Sequence, residues 1–191
     1  MLRHDDLYSL EQYARLRPEF RARVIEHKKH RRLPLGAHAA LYFEDALTMQ
    51  YQVQEMLRIE RIFEPAGIQD ELDVYNALVP DGSNWKATFM IEYADAEERR
   101  VALGRLIGVE RALWVQVADF DKVRPIANED LDRETPDKTA SVHFVRFEFS
   151  PPMIAAMKAG APIRAGIDHP QCTVETEIAG SVRESLVADF S

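Results

Sequence analysis

At 191 residues with a formal net charge of −8, the chain has the size of one ordinary domain and the wrong overall sign for a general nucleic-acid binder. Its 46 % hydrophobic and 29 % charged residues suit a globular fold, and no apolar run approaches the roughly 18 residues of a membrane span. A single cysteine, Cys172, excludes an internal disulfide and any paired-cysteine zinc or iron–sulfur site within one chain.

Residues 6–16 read as a short helix. Pro18 suits the first position of a second, which runs to about His30. Leu33-Pro-Leu-Gly36 breaks it, and residues 37–43 form a strand. Asp45 caps a helix over residues 46–64, on which Met49, Val53, Met56, Leu57, Ile59 and Phe63 gather on one side at about 100° per residue. Glu60 falls in the middle of that apolar face. An unpartnered buried carboxylate costs several kcal/mol, so the phase predicts Glu60 buried against a positive group or a metal. Residues 69–78 form a further helix, and Pro80-Asp-Gly-Ser-Asn84 is a polar turn.

Strands dominate the rest. Residues 85–93 alternate apolar and polar, as a half-buried strand does. Asp95 with Glu98 caps a helix ending at Gly108, and residues 113–117 and 123–126 form a hairpin. Residues 141–149 are a strand, and Ser150-Pro-Pro opens a short helix that stops at Gly160. Residues 163–167 and 172–178 make a second hairpin, and Ser181 with Glu184 caps a last helix. Helices early and neighbouring strands late predict an α+β fold, with N-terminal helices packed on a mainly antiparallel sheet. Residues 85–93, 95–107 and 112–117 are the one candidate βαβ unit. No Pro/Gly/Ser-rich linker divides residues 1–191, so a single domain is expected. The five early aromatics Tyr8, Tyr13, Phe20, Tyr42 and Phe43 are expected to pack the helices onto the sheet.

No G-x-G-x-x-G, G-x-x-x-x-G-K-[ST], H-E-x-x-H or G-x-S-x-G is present, so no catalytic set is recognised. Two constellations remain. Neutral imidazoles with a carboxylate suit iron or zinc, and His27, His38, His143, His169 and Glu60 are the candidate ligands, provided four or five separate elements converge. The plain alternative is that each is a satisfied structural side chain. The second is the basic helix end at Lys28, Lys29, Arg31 and Arg32. Residues 1–32 hold nine Lys/Arg against five Asp/Glu, while the remainder holds fifteen against twenty-seven. The run reads either as a complement to a helix dipole or as a docking site for an acidic partner or a small anion. Cys172, which alternates with Val174 and Ile178, reads as a buried, inert thiol. The first residues carry acids and no apolar leader-like run, so the expected compartment is the cytoplasm.

Five stretches carry a resemblance: Leu10-Glu-Gln-Tyr-Ala-Arg-Leu-Arg-Pro-Glu-Phe20, Tyr51-Gln-Val-Gln-Glu-Met-Leu-Arg-Ile-Glu-Arg-Ile-Phe63, Gly67-Ile-Gln-Asp-Glu-Leu72, Val142-His-Phe-Val-Arg-Phe-Glu148 and Asp168-His-Pro170. In these the chain resembles a bacterial family of about its own length, catalogued as a domain of unknown function. The resemblance implies genes lying beside those of rubrerythrin-like and iron–sulfur proteins. It therefore implies an accessory protein that docks on such a partner, near iron handling or peroxide defence. A small metal-binding protein or metalloenzyme is the alternative.

Overall fold

The computed structural model describes residues 1–131 and 133–190. Ser9 caps α1 (Leu10–Lys29) through Gln12 N, and Gln12 reaches back to Ser9 N. The two predicted helices are thus one. Pro18 sits inside α1 on its exposed side, where the carbonyl freed by the missing N–H faces water, so the helix continues through it. The chain then forms β1 (Arg32–Pro34), β2 (Ala39–Phe43), α2 (Ala46–Glu60), α3 (Pro65–Asn76), β3 (Asn84–Ile91) and α4 (Ala96–Arg105). After a short 3₁₀ turn at Val109–Ala112 come β4 (Leu113–Val117), β5 (Ile126–Ala127), β6 (Val142–Glu148), α5 (Pro151–Lys158), β7 (Ile163–His169), β8 (Cys172–Glu177) and α6 (Gly180–Val187).

The strands make two antiparallel sheets, in the orders β1-β2-β3-β6-β5 and β4-β7-β8. The α+β class is therefore as expected, but the βαβ unit does not form. Both edges of β3 are occupied, by β2 and β6, so the chain leaving α4 has no place beside β3, and β4 founds the second sheet. Of the predicted 113–117/123–126 hairpin only the Val115–Val123 bridge survives, because β5 is drawn off to pair with β6. The β7–β8 hairpin forms as expected.

The largest apolar core draws side chains from both sheets, including Phe89, Phe147, Val115 and Ile167, and closes around Trp85. Trp85 packs on Phe43, Phe149 and Phe190, and its indole N–H donates to the Leu186 carbonyl at 2.9 Å. The first three helices have separate small cores. Met49, Val53, Leu57 and Leu72 form one, while Tyr13, Phe20 and Val24, with Tyr8 and Tyr51, form another. The early aromatics divide accordingly. Tyr8, Tyr13 and Phe20 hold helix to helix, Phe43 enters the main core, and Tyr42 bonds Glu92. No helix among the described residues is long and apolar enough to cross a membrane.

Candidate functional site

The five proposed metal ligands lie on separate elements, and the structure gives each a different occupation. His27 meets Asp45 with its Nε2 at 2.5 Å. His143 is fully buried; its Nε2–H donates to the Ala140 carbonyl at 3.0 Å, and its Nδ1 accepts from Asn128 at 3.1 Å. Burial holds its pKa below the usual histidine value. His169 donates from Nε2 to the Ile107 carbonyl and accepts the Gln171 N–H at Nδ1, which locks the Asp168-His-Pro turn. His38 is exposed. Among the described residues no group of three or more His, Cys, Asp or Glu side chains is placed to hold a metal ion.

Glu60 corrects the helix reading directly. The apolar face was phased correctly over Met49, Val53 and Leu57, but Leu57 is its last buried position. The helix ends at Glu60, Arg61 turns into the left-handed region (φ 57°), and Ile59 and Phe63 stand 61 % and 69 % exposed. Glu60 is exposed as well. The docking patch needs a similar correction. Arg31 is 1 % exposed, donating to the carbonyls of Phe43 and Glu44 and paired with Asp189 at 2.6 Å. Its position just past α1 turns it inward, leaving Lys28, Lys29 and Arg32 outside. Lys29 is engaged by Glu26, and Arg32 by Glu92.

The carboxylate that α2 does take inward is Glu55. It accepts from the Tyr13 hydroxyl (2.7 Å) and from both Arg17 (2.7 and 2.9 Å) and Arg58 (3.1 Å). Those donors, Arg17 first, lower its pKa from 4.5 to about 2. A depressed folded-state pKa gives stability that is present above pH 4.5 and lost as pH falls toward 2. Acid unfolding of the wild type should therefore steepen below pH 4.5, and Glu55→Gln should flatten that limb while lowering stability at pH 7 by about 2 kcal/mol. Urea titrations at pH 7 and pH 3 check it; equal loss at both pH values would contradict it. Next to it, Gln54 is fully buried and clamps the Tyr8 backbone, accepting its N–H at 2.6 Å. Sequence reasoning missed a third buried polar group, Glu110, which is 0 % exposed in the 3₁₀ turn. Arg111 lies 2.8 Å away, yet neither Glu110 oxygen has a hydrogen bond of good geometry. No sequence pattern marks that position.

A cleft of about 810 Å³ opens where the two sheets meet α4. Its floor is apolar: Phe89 and Ile91 come from β3, Ile167 from β7, and Leu35, Leu106 and Val109 are also buried. One wall is the α4 face Glu98, Val101, Ala102 and Arg105, spaced i, i+3, i+4, i+7 so that all four look the same way. A second wall is the tip of the β7–β8 hairpin, Gln171 to Val174. The third is the β1–β2 loop, held by Leu35 N–Ala39 O and Glu92 N–His38 O bonds of 2.8 Å. His38 stacks on Tyr93 at 4.1 Å, 8° from parallel, and donates from Nδ1 to the Glu92 carbonyl at 3.2 Å. Its Nε2 is left as an acceptor without a partner among the described residues. Asp95 spends its carboxylate on capping α4, and Glu97 is paired with Arg100. Glu98 and Arg105 have no side-chain partner among the described residues, and they stand roughly 10 Å apart along the helix axis. Cys172 is half-buried at the cleft, with burial pushing its thiol pKa up, so it lines the site as an apolar contact. Of the residues singled out in the sequence, His38 and Cys172 are the two that this cleft brings together.

The family model for "Protein of unknown function (DUF3501)" matches residues 1–190. The chain belongs to this family. A solved structure superposes with a TM-score of 0.93 at 49 % identity, covering 100 % of this chain and 99 % of the other; it is described as the crystal structure of a novel protein of unknown function from Burkholderia pseudomallei K96243 at 1.90 Å resolution. Among curated proteins none matches it. The solved relative shares the fold, and the chemistry has to be read from the cleft.

Proposed function

We propose that this protein is a binding protein whose ligand site is the cleft between the sheets and α4. The observation that carries the reading is the pairing of an apolar floor with a polar rim whose charges are not spent on each other. Ligand pockets have volumes of about 300–1,000 Å³, mostly apolar walls and a few convergent polar groups. The floor of Phe89, Ile91 and Ile167 takes an apolar body; Glu98, Arg105 and His38 Nε2 read its polar ends. Cys172, the one thiol in the cleft, has its pKa raised by burial and lines the site as an apolar contact, which favours recognition as the reading of this cleft.

An accessory role beside rubrerythrin-like or iron–sulfur proteins is a second proposal. The family resemblance supports it, and Lys28, Lys29 and Arg32 are the basic side chains left outside the interior for such a partner.

The probe for the first reading is 1-anilinonaphthalene-8-sulfonate, an apolar ring system with one anionic group. The wild type should bind it saturably at one site. Val101→Trp, which fills the cleft from a side chain already exposed, should weaken binding about tenfold, or roughly 1.4 kcal/mol. Arg105→Gln should weaken it less. Unchanged affinity in Val101→Trp, with the fold intact by circular dichroism, would overturn the assignment.

A further inference from the structure

We infer that β8 is an open sheet edge that receives an extended, basic peptide, with the peptide's apolar side chains entering the cleft. The inference rests on the cleft being a binding site, and it names the class of ligand. β8 is the last strand in the order β4-β7-β8. The Ile178 N–H bonds the Ile163 carbonyl at 2.8 Å, and the register continues from there through Ala165–Thr176, Ile167–Val174 and His169–Cys172. In an antiparallel ladder, hydrogen-bonded and non-bonded pairs alternate. The even-numbered residues of β8 therefore bond β7, and the N–H and C=O groups of Thr173, Glu175 and Glu177 point outward. Among the described residues none of these three N–H groups finds a backbone acceptor.

A row of unpaired backbone groups is a template for another strand, and strand addition draws its affinity from main-chain bonds and its selectivity from alternate side chains. The two faces of β8 fix what those side chains should be. Cys172 and Val174 lie on the inner face and pack on the main core, and both line the cleft. A strand added outside β8 extends that inner face, so every second side chain of the incoming peptide drops into the apolar cleft. The outer face carries Thr173, Glu175 and Glu177, all exposed. Glu175 is paired with Arg164, while Glu177 has no partner among the described residues. The complementary peptide alternates apolar and basic residues. A second copy of this chain fits poorly, because the fully overlapped antiparallel pairing of two β8 edges sets Glu175 directly opposite Glu175, and like charges directly opposite are destabilising.

The test uses a fluorescein-labelled octapeptide of alternating Lys and Val, its Glu–Val counterpart, and two Lys–Val peptides N-methylated at alternate amides in the two possible registers. Fluorescence polarisation should show the Lys–Val peptide binding and the Glu–Val peptide not. One methylated register should lose about tenfold in affinity and the other keep it, since only one edge of the peptide faces β8. Thr173→Pro removes an outward N–H and no bond to β7, so it should fold and bind about tenfold more weakly as well. If both methylated peptides bind like the parent, strand addition is wrong. If no peptide binds while the naphthalene sulfonate still does, the peptide assignment fails and the cleft stands; if neither binds, both fail. A wild-type dimer in sedimentation that Thr173→Pro abolishes would assign the edge to a second copy and overturn the inference.

Discussion

Arg31→Ala should destabilise the protein by about 3–5 kcal/mol, the usual penalty for removing one partner of a buried ion pair. The guanidinium is 1 % exposed and ties together segments that are distant in sequence. Its Nε donates to the Phe43 carbonyl and Nη2 to that of Glu44, both at 3.0 Å, while Nη1 reaches Ser185 Oγ at 3.1 Å. Asp189 takes two bonds, at 2.6 and 3.1 Å, and Asp45 lies 3.5 Å away. Truncation leaves the carboxylates of Asp45 and Asp189 without the guanidinium between them, with the His27 ring bonded to Asp45. Burial raises the pKa of Asp189 even with Arg31 in place, so the loss of the arginine strands a group already held against its preference. Urea unfolding at pH 7 should show the full effect in Arg31→Ala, whereas Lys28→Glu, outside the interior, should stay within about 0.5 kcal/mol of wild type. A loss below about 1 kcal/mol in Arg31→Ala would show that the cluster contributes little net stability. The same reasoning separates docking from folding: charge reversal across the basic helix end must spare Arg31, or an unfolded variant will mimic a lost partner.

Gly166→Ala should cost about 3 kcal/mol, the upper part of the usual range for forcing atoms into a packed interior. An added Cβ would lie 2.3 Å from the Val174 carbonyl oxygen and 2.5 Å from Trp114 Cζ2. The first is backbone of the neighbouring strand and the second a fully buried ring, so neither can step aside cheaply. Trp114 crosses over Gly166 because β4 and β7 pair there, and its indole N–H donates to Asp168 at 3.0 Å. Asp168 also receives Lys122 and Arg124, with the Lys122 ammonium 3.9 Å above the Trp114 ring. Displacing the ring should disturb that whole group, so the near-ultraviolet dichroism of tryptophan should change together with the urea midpoint. Wild-type stability in Gly166→Ala would mean that the two strands can separate at this point without penalty.

Much of the fold was legible because its signals are local. Apolar alternation over residues 85–91 and 142–148, the capping aspartates Asp45 and Asp95, and the His-Pro turn between β7 and β8 each act within a few residues. Pairing was less legible, because occupancy of both β3 edges is decided by strands more than forty residues away on either side. The failure at Glu60 has the same origin. Helical phase tells which way a side chain points, but where its covering layer stops depends on tertiary packing, and here it stops at Leu57. Arg31 was misread for a related reason: a basic run looks solvated until one of its members meets Asp189 from the far end of the chain. The cleft could not be assembled from sequence, since its walls come from the β1–β2 loop, α4 and the β7–β8 tip. His38 was singled out as a metal ligand and Cys172 as an inert thiol; their shared role as lining follows only from that assembly.

The most direct test of the cleft as the ligand site is to map where the naphthalene sulfonate binds, by amide chemical-shift perturbation in a uniformly ¹⁵N-labelled protein. The largest shifts should fall on residues 36–39, 91–95, 98–105 and 171–174, and Val101→Trp should abolish them as a group. Shifts centred instead on the smaller groove of about 340 Å³ beside α3 and β6, at Val74, Tyr75 and Phe144, would contradict the assignment.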